Sequence, residues 1–527
     1  MLIGCTPWPD DVAQAYRQRG LWRGETLGDL LRRDPDATAV VTATARHTYG
    51  ELSARADRIA AGLAALGVRR LDRVLVQLPN TADFVTTCVA LFRLGALPVL
   101  AMPGLRLAEL RHLAEHTDAQ VAILPEVWQG FDHRELARDL VKAVPALHTV
   151  LIAGTAEEFT PLSAVDGDPV ELPPADPAEV AFFLLSGGTT HLPKLIPRTH
   201  DDYAYQMRAT AAAVGLDSSS AYAAVLPVAH NAALGCPGIL GAFQAGATVL
   251  LSRSPSPDDV FPLLAAAGDH PLLVTTLMPA LVPLWRESAA AYGTDLSRLV
   301  VEVGGSVIDL DTVRAFDSET GCRVTRWFGM AEGPLCFTRP HDPAADRLAN
   351  EGYPLSVEDE YVVVGEDGAP LPAGEIGELL VRGPTTLRGY YREPDDNARS
   401  FTADGFLRTG DLASIDVEGL LTIRGRTGDV INRGGEKVPA GLVESRLAEH
   451  PAVKMCAVTG VPDPVLTEKV AAFVVPQDAA PTLAELTAFL RAAGIAPHCF
   501  PEHVVIVDRL PMTPVGKVDK KALRLDA

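Results

Sequence analysis

The sequence is short of positive charge, of paired cysteines and of uninterrupted apolar runs. Against 67 acidic residues it has only 46 lysines and arginines, a formal net charge of −21. Such an excess argues against a nucleic-acid or anionic-membrane partner. The seven cysteines are scattered and form no CxxC pair, which favours a reducing compartment and argues against a structural zinc site. No HExxH motif occurs among the thirteen histidines.

A leader and a membrane span are also not indicated. The N-terminal stretch MLIGCTPWPDD has no basic segment followed by an apolar core, so we expect no signal peptide. The longest weakly polar run, residues 223–243, contains two prolines, a histidine and an asparagine. A spanning helix would have to satisfy these groups in lipid. We therefore interpret the run as a buried wall and expect a cytoplasmic protein.

The composition that remains is that of an ordinary globular chain. Its 527 residues predict roughly two or three domains, and 47% hydrophobic residues supply an ample core. Between residues 48 and 124, helix and strand signals alternate, beginning with a capping box at Thr48 and Glu51 and a helix that stops near Gly67. This alternation predicts parallel sheet covered by helices.

Later segments change in character. Residues 166–180 are rich in proline and aspartate and predict a surface connection. A second α/β run is expected at about 181–340, and short strands with Gly/Pro turns at about 361–423 predict a β-rich part. After residue 429 a small α/β pattern runs to the end, with helices predicted at 440–449 and 482–493. The predicted fold class is α/β.

The segment SGGTTHLPK, residues 186–194, raises the question of a phosphate-binding loop. Glycine, serine and threonine direct backbone N–H groups and hydroxyls at phosphate oxygens. The segment is not the Walker A pattern GxxxxGK[ST], and alone it fits a turn without a ligand equally well. His191 stands where such a loop would be expected to have another glycine. Further motifs follow in order: RWFGMAEG, LRTGDL, IRGRTGDVINRGGEKV and PMTPVGKVDKKAL.

In this order and spacing, the motifs resemble those of the adenylate-forming superfamily. The stretches LSGGTT, PKLIPRTHDDY, AHN, FGMAEG and INRGGEKV narrow the resemblance to stand-alone aryl-acid–AMP ligases, such as 2,3-dihydroxybenzoate and salicylate ligases of siderophore and natural-product pathways. The resemblance implies a large N-terminal domain at 1–425, made of two α/β sheet subdomains and a β-rich subdomain. It also implies a hinge at 426–429 and a small mobile α+β domain at 430–527.

The resemblance implies a reaction in two steps. ATP activates an aryl carboxylic acid as the aryl adenylate with release of pyrophosphate, and the aryl group then passes to the phosphopantetheine thiol of a carrier protein. The expected cofactors are ATP and Mg²⁺, and the expected carrier is a separate chain because no GGxS-type site follows the small domain. An aryl-CoA ligase is the alternative within this chemistry. A non-catalytic adenylate-binding protein, indicated only by His191, is the alternative outside it.

By the same resemblance, the nucleotide site has four parts. The triphosphate loop would consist of Ser186, Gly187, Gly188, Thr189, Thr190 and Lys194. The adenine slot would be lined by Gly304, Gly305, Trp327, Phe328, Gly329 and Met330. The ribose would be bound by Asp411 with Arg426 nearby, for which a structural ion pair is the alternative. Glu332 would ligate Mg²⁺, since a carboxylate is a suitable hard ligand; a solvated surface carboxylate is the alternative.

The catalytic and acid-binding residues follow in the same way. Lys517 would bridge the substrate carboxylate and the α-phosphate, and His230 would gate the carboxylate. Asn231 would bond an ortho heteroatom of the ring, such as a 2-hydroxyl. The rest of the acid pocket would comprise Ala232, Gly235, Cys236, Ser306, Ala331 and Leu335. The tunnel for the phosphopantetheine thiol would be bordered by Gly434 and Gly435.

Four pocket positions bear on the choice of acid. Dihydroxybenzoate ligases tend to have serine where this chain has Cys236 and valine where it has Leu335. Cysteine is the weaker hydrogen-bonding group and leucine fills more space, so 2,3-dihydroxybenzoate is disfavoured. Ala232 and Ala233 replace an aromatic residue and a proline, which opens space. We expect a salicylate-like acid or a larger substituted or bicyclic 2-hydroxy or 2-amino aryl acid.

Overall fold

A computed structural model describes residues 2–186, 192–305, 310–434, 436–493, 495–512 and 518–523. Within these ranges the helices are α1 (Asp10–Gln18), α2 (Tyr49–Ala65), α3 (Ala82–Leu94), α4 (Leu107–Thr117), α5 (His133–Ala143), α6 (His200–Val214), α7 (Asn231–Gly235), α8 (Gly238–Ala245), α9 (Pro257–Ala265), α10 (Val282–Tyr292), α11 (Leu310–Thr320), α12 (Ala344–Arg347), α13 (Pro394–Ser400), α14 (Ala440–Leu447) and α15 (Leu483–Ala492).

The strands alternate with these helices through most of the chain. In order they are β1 (Thr38–Val41), β2 (Arg46–Thr48), β3 (Arg73–Val76), β4 (Leu97–Leu100), β5 (Val121–Pro125), β6 (Val127–Trp128), β7 (Phe131–Asp132), β8 (Thr149–Ala153), β9 (Thr160–Pro161), β10 (Val180–Leu185), β11 (Leu195–Thr199), β12 (Ala221–Ala224), β13 (Thr248–Leu251), β14 (Leu273–Leu277), β15 (Leu299–Gly304), β16 (Arg323–Gly329), β17 (Leu335–Phe337), β18 (Tyr353–Pro354), β19 (Glu360–Val364), β20 (Gly377–Arg382), β21 (Leu407–Ile415), β22 (Leu421–Arg426), β23 (Val430–Arg433), β24 (Glu436–Pro439), β25 (Val453–Asp463), β26 (Thr467–Pro476) and β27 (His503–Ile506).

Two large sheets carry the N-terminal part. The first has the order β11-β10-β4-β3-β5-β8-β9, and the second has the order β18-β17-β16-β15-β14-β12-β13-β1-β2. Their central neighbours run parallel, as the alternation of helix and strand predicted. The sequence did not predict that β10 and β11 join the first sheet, or that β1 joins the second. These pairings bring together segments far apart in the chain, which local periodicity does not record.

Three smaller sheets complete the described chain, and the smallest of them pairs only β6 with β7. Strands β19-β20-β21-β22 form an antiparallel sheet in the part predicted to be β-rich. The C-terminal residues fold as β24-β23-β26-β25, with β27 beside β26 and with α14 and α15 packed on this sheet. None of the helices in the described ranges combines the length and apolar character needed to cross a membrane.

The local signals in the sequence account for several helix ends. The Thr48 hydroxyl oxygen accepts a hydrogen bond from the Glu51 backbone N–H, and the Glu51 carboxylate accepts one from the Thr48 backbone N–H, which confirms the predicted capping box of α2. The run at 223–243 is not one span, because it divides into the short helices α7 and α8, and nearly all of it is buried. Its interpretation as a buried wall is confirmed.

Candidate active site

The described residues predicted for the acid and for the metal lie where the two large sheets meet, whereas Asp411 and Arg426 lie on the β21–β22 pair and Gly434 follows β23. Strands β14, β15 and β16 run parallel and so end at one edge of the second sheet. The hairpin β10–β11 of the first sheet lies beside this edge, as its residue Arg198 donates a hydrogen bond to the Ala331 carbonyl in the turn that follows β16. Helix α7 also lies there, with Asn231 close to the Met330 carbonyl of the same turn. Open α/β sheets bind ligands at such an edge.

The predicted triphosphate loop joins β10 to β11. At its base the Ser186 N–H donates to the Lys194 carbonyl at 2.9 Å, and the Lys194 N–H donates to Ser186 Oγ at 3.0 Å. The Lys194 ammonium lies 4.2 Å from the ring centre of Tyr390 and 3.7 Å from Asp396 Oδ2. Gly187, Gly188, Thr189, Thr190 and His191 lie outside the described residues.

Glu332 is buried beside this lysine rather than solvated. Its side chain is 5% exposed, and the Tyr390 hydroxyl donates to its Oε1 at 2.9 Å. Burial, with the nearby Glu332 carboxylate, raises the pKa of Tyr390 above its ordinary value. Tyr390 therefore joins the predicted metal ligand to the predicted phosphate lysine. The sequence analysis did not single it out.

The turn that carries Glu332 is pressed against the segment before α13. Gly333 has φ +114°, and a Cβ on it would lie 1.7 Å from the Thr385 carbonyl oxygen. The Leu387 N–H donates to the Glu332 carbonyl at 2.7 Å. Only glycine fits this close approach. The contacts therefore fix the position of the turn, and of Glu332 within it, relative to the segment before α13.

Asp411 and Arg426, for which the sequence analysis left open a ribose-binding role or a structural ion pair, are in contact with each other. They stand opposite each other in the β21–β22 ladder, and Arg426 Nε lies 2.9 Å from Asp411 Oδ1. Asp411 is 3% exposed, whereas the Arg426 side chain is about half exposed. Arg426 is the last residue of β22 and the first residue of the predicted hinge.

Asn231 is held in one orientation at the start of α7. Its Oδ1 accepts from the Tyr203 hydroxyl at 3.0 Å and from Gln206 Nε2 at 3.3 Å. The amide nitrogen then faces the Met330 carbonyl at 3.4 Å. Because both bonds to the oxygen come from donors, Asn231 can serve a ligand only as a donor, through its NH₂ group.

The partners of Asn231 belong to a buried network that sequence patterns do not reveal. Arg198, with 0% exposure, donates to Gln206 Oε1 at 2.9 Å and to Asp202 Oδ1 at 2.9 Å. It also donates to the carbonyls of Ala331 and Thr385, at 3.1 and 3.2 Å. One guanidinium thus fixes both the turn of Glu332 and, through Gln206, the amide of Asn231.

Three of the residues predicted for the acid pocket, Ala232, Cys236 and Leu335, come together, whereas Ala331 packs against a different buried cluster. One buried cluster contains Ala232, Cys236, Trp327, Leu335 and Phe337. Burial raises the pKa of the Cys236 thiol well above its ordinary value, so it stays protonated and apolar in character.

Two further observations refine this pocket. Ala233 packs in a different cluster, on the far side of α7, so an argument for a widened pocket rests on Ala232 alone. Gly235 is required by Tyr203, whose ring atoms would lie 2.4 Å from a Cβ at that position.

The residues predicted for the adenine slot do not all pack in one place. A Cβ on Gly304 would lie 2.3 Å from the Trp327 carbonyl oxygen, and Gly305 has φ +83°. Trp327 packs in the apolar cluster above, whereas Phe328 and Met330 pack against the β19–β22 sheet. Gly329 is also filled closely, with Leu335 Cδ2 at 2.4 Å from a Cβ.

His230 precedes α7 and caps it. Its Nδ1 accepts from the Ala232 N–H at 3.3 Å, so in the neutral ring the proton resides on Nε2. Farther away, Gly434 has φ +60° and donates to the Leu466 carbonyl at 2.6 Å. Ser306, Gly435 and Lys517 lie outside the described residues.

Comparison with known proteins places this arrangement in a family. The model described as "AMP-binding enzyme" matches residues 29–391, and that of its C-terminal domain matches residues 442–517. The chain is 50% identical to "Triostin synthetase I" of Streptomyces triostinicus, over 99% of this chain and 98% of that protein. It is 46% identical to the "2,3-dihydroxybenzoate-AMP ligase" of Bacillus subtilis, over 99% and 98%.

A solved structure agrees over the same length. The apo structure of MbtA from Mycobacterium smegmatis is 44% identical, has a TM-score of 0.76, and covers 98% of both chains. The match therefore extends over the large N-terminal part and the small C-terminal part together. The chain belongs to the AMP-binding enzyme family.

Proposed function

We propose that the protein is an aryl-acid–AMP ligase, which activates an aryl carboxylic acid with ATP and passes the aryl group to a carrier-protein thiol. The observation that carries this proposal is the amide of Asn231, held as a donor beside the apolar cluster of Trp327 and Leu335. An apolar slot with one oriented donor suits a flat ring that carries an ortho acceptor. The relatives named for 2,3-dihydroxybenzoate and salicyl adenylation support it.

In the first step a carboxylate oxygen of the acid attacks the α-phosphorus of ATP. The new oxygen–phosphorus bond forms as the bond to the β-phosphate oxygen breaks, and pyrophosphate leaves with that electron pair. Negative charge accumulates, so the step needs positioned cations and donors more than a proton acceptor. Lys194 and Lys517 would supply the positive charge, and His230 would offer its Nε2–H to the carboxylate.

Glu332 fits the magnesium ion that this nucleotide chemistry uses. Among the described residues no group of three or more histidine, cysteine or acidic side chains is placed to hold a metal ion. Mg²⁺ is commonly bound by one or two carboxylates together with substrate phosphates and water, so a single buried carboxylate beside Lys194 fits it. The ion, when bound, would neutralise phosphate charge, and Tyr390 would orient Glu332 toward it.

In the second step a thiolate attacks the carbonyl carbon of the aryl adenylate. The thiol gives its proton to solvent before the attack; a carbon–sulfur bond then forms, the bond from carbon to the phosphate oxygen breaks, and AMP leaves with that electron pair. Gly434 would border the path of the thiol arm, because its missing side chain leaves room beside Leu466. Rotation of residues 430–527 about the turn Thr427–Asp429 would switch the site from the first step to the second.

For the acid itself we propose a salicylate-like compound or a larger relative. Asn231 donates to an ortho acceptor, and Cys236 offers a weaker partner to a 3-hydroxyl than serine would. Leu335 and Trp327 close on the same cluster. With Ala233 turned away, the space available for a larger ring is that beside Ala232.

The test is ATP–pyrophosphate exchange with a panel of acids: benzoate, salicylate, 2,3-dihydroxybenzoate, methyl-salicylates, anthranilates, picolinates and quinaldates. We expect exchange with acids that carry an ortho acceptor, and about ten- to a hundred-fold less with benzoate, which lacks it. Absence of exchange with every acid, in folded protein that binds ATP, would contradict the proposal. Transfer to an aryl carrier protein, compared with free coenzyme A, separates the carrier-dependent ligase from the CoA ligase.

A further inference from the structure

Two histidines of α4 stack on each other beside the base of the predicted triphosphate loop. His112 and His116 lie one turn apart on this helix, and their ring centres are 5.5 Å apart with the ring planes inclined by 24°. Residues four apart on a helix share a face, so the two rings point toward the same neighbouring segments. The motifs of the sequence gave neither histidine a role.

Each ring meets a backbone carbonyl next to a residue of the candidate site. His112 Nε2 lies 3.3 Å from the Pro193 carbonyl oxygen, one residue before the predicted phosphate lysine. His116 Nε2 lies 3.0 Å from the Tyr391 carbonyl oxygen, one residue after the tyrosine that bonds Glu332. Because a carbonyl oxygen only accepts, both rings carry a proton on Nε2 and donate it.

The two segments that the histidines contact also bond each other. The Tyr391 N–H donates to the Leu195 carbonyl at 3.0 Å, and the rings of His116 and Tyr391 meet edge to face with centres 5.9 Å apart. In the same place the Lys194 ammonium lies 4.2 Å from the ring centre of Tyr390. The stacked histidines and this backbone bond therefore hold Lys194 and Tyr390 in one relative position.

The protonation of His112 suits a fixed donor. Burial, with the neighbouring His116 ring, lowers the pKa of His112 below its ordinary value. At pH 7 this imidazole is therefore neutral and has a single N–H, which is directed at Pro193. A ring of the same shape without nitrogen would keep the stack and leave the carbonyl without this donor.

We propose that His112 and His116 are positioning residues for the triphosphate of ATP, and that they act by fixing Lys194 and Tyr390 relative to each other. This inference rests on the nucleotide half of the proposed function and deepens it. Neither imidazole would touch the nucleotide. Their effect would reach the β- and γ-phosphates through Lys194, and the predicted metal ligand Glu332 through Tyr390.

The experiment compares the binding of Mg·ATP with that of AMP by titration calorimetry. AMP has no β- or γ-phosphate, so a displaced Lys194 should weaken the binding of ATP and not that of AMP. In the double variant His112→Phe/His116→Phe the rings still stack, but neither can donate. We expect its Kd for ATP to rise about tenfold, and its Kd for AMP to change by less than about twofold.

A second double variant separates hydrogen bonding from ring packing. In His112→Gln/His116→Gln the amide nitrogen reaches about as far as the histidine Nε2 and still donates, so the Kd for ATP should stay within about threefold of that of the unaltered protein. His270→Phe is the matched control, because His270 contacts the Ser219 carbonyl before β12, at the opposite edge of the second sheet. It should change neither Kd.

Pyrophosphate exchange provides an independent measurement. In the double phenylalanine variant the KM for ATP should rise by about tenfold. The KM for the aryl acid should change little, because the residues proposed to bind the ring belong to α7 and to the cluster of Trp327 and Leu335. If the double variant does not fold, His112→Phe and His116→Phe are measured singly, and each should show a smaller loss that is again confined to ATP.

The outcomes separate this inference from the proposed function. Equal losses of ATP and AMP binding, or equal losses in the phenylalanine and glutamine variants, would show that the rings only support the fold and would overturn the inference. Unchanged ATP binding in folded phenylalanine variants would overturn it as well. The binding measurement needs no aryl acid. A loss confined to ATP therefore supports the inference even if no acid supports exchange and the proposed acid chemistry is wrong.

Discussion

At the scale of single residues, the proposed choice of acid depends on the orientation of one amide. Asn231 Oδ1 accepts from both Tyr203 and Gln206, so its NH₂ group is the only part left for a ligand. An ortho oxygen or ring nitrogen is an acceptor and matches this donor. An acid without an ortho acceptor leaves the buried N–H groups of Asn231 without a ligand partner.

Asn231→Asp tests this directly, because aspartate still accepts from Tyr203 and Gln206 but has no N–H to donate. We expect kcat/KM for salicylate to fall by about ten- to a hundred-fold. Benzoate, which makes no use of the donor, should change little. Pyrophosphate exchange with the two acids measures the ratio, and equal losses for both would show that Asn231 supports the pocket without reading the ortho position.

Some residues around the candidate site were predicted from the sequence and others were not, for a physical reason. Asn231, Glu332 and Asp411 belong to short motifs that can be recognised from the linear sequence alone. Tyr390 lies beside Glu332 only because distant segments pack together: its hydroxyl donates to a residue 58 positions earlier in the chain. A motif search records neighbours in sequence, and these contacts are neighbours only in space.

At the scale of elements, one arginine connects four segments. Arg198 lies on β11, bonds Asp202 and Gln206 of α6, and reaches the carbonyls of Ala331 and Thr385. The β16–β17 turn and the segment before α13 therefore share one anchor with the helix that orients Asn231. A change at this anchor reaches both the phosphate side and the ring side of the site.

We expect Arg198→Met to destabilise the protein by about 3–5 kcal/mol, because it leaves the buried Asp202 carboxylate without its charged partner. The midpoint of thermal unfolding measures this loss. Arg198→Met combined with Asp202→Leu should recover part of it, since the unpaired charge is then removed. No recovery in the double variant would mean that the lost carbonyl contacts, rather than the unpaired carboxylate, dominate.

The elements themselves were largely predictable, and their arrangement was not. Helix α2 follows from its capping box and apolar stripe, which act within a few residues of one another. The place of β1 at the side of β13 depends instead on Val40 pairing with Val249, some 200 positions away. The pairing of β10 with β4 is of the same kind. Such choices are made by the packing of the whole sheet.

At the scale of the whole molecule, a lysine ties the C-terminal segment to the predicted hinge. Lys520 Nζ lies 2.9 Å from Asp429 Oδ2 in the turn Thr427–Asp429 and 2.8 Å from Glu444 Oε1 on α14. Burial acts to lower the pKa of Lys520, but the two carboxylates outweigh it and the net shift is upward. The charge that holds this junction is therefore retained throughout the neutral range.

The last prediction concerns how this junction divides the two half-reactions. Lys520 lies three positions after the predicted catalytic Lys517, so Lys520→Met should weaken the placement of that lysine during adenylation. We expect pyrophosphate exchange to fall by about tenfold or more, roughly one lost charged contact. Thioester formation from supplied aryl adenylate should be nearly unchanged, because the role proposed for Lys517 belongs to the first step.

Two control variants set the largest and the smallest effect expected in this experiment. Lys517→Ala should abolish exchange and spare the thioester step, and so marks the limit that Lys520→Met approaches. Lys454→Met removes an exposed lysine of β25 and should leave both steps unchanged. If Lys520→Met lowers both steps equally, the junction holds the small domain together rather than positioning Lys517. If neither step changes, the ion pairs at Asp429 and Glu444 do not govern adenylation at all.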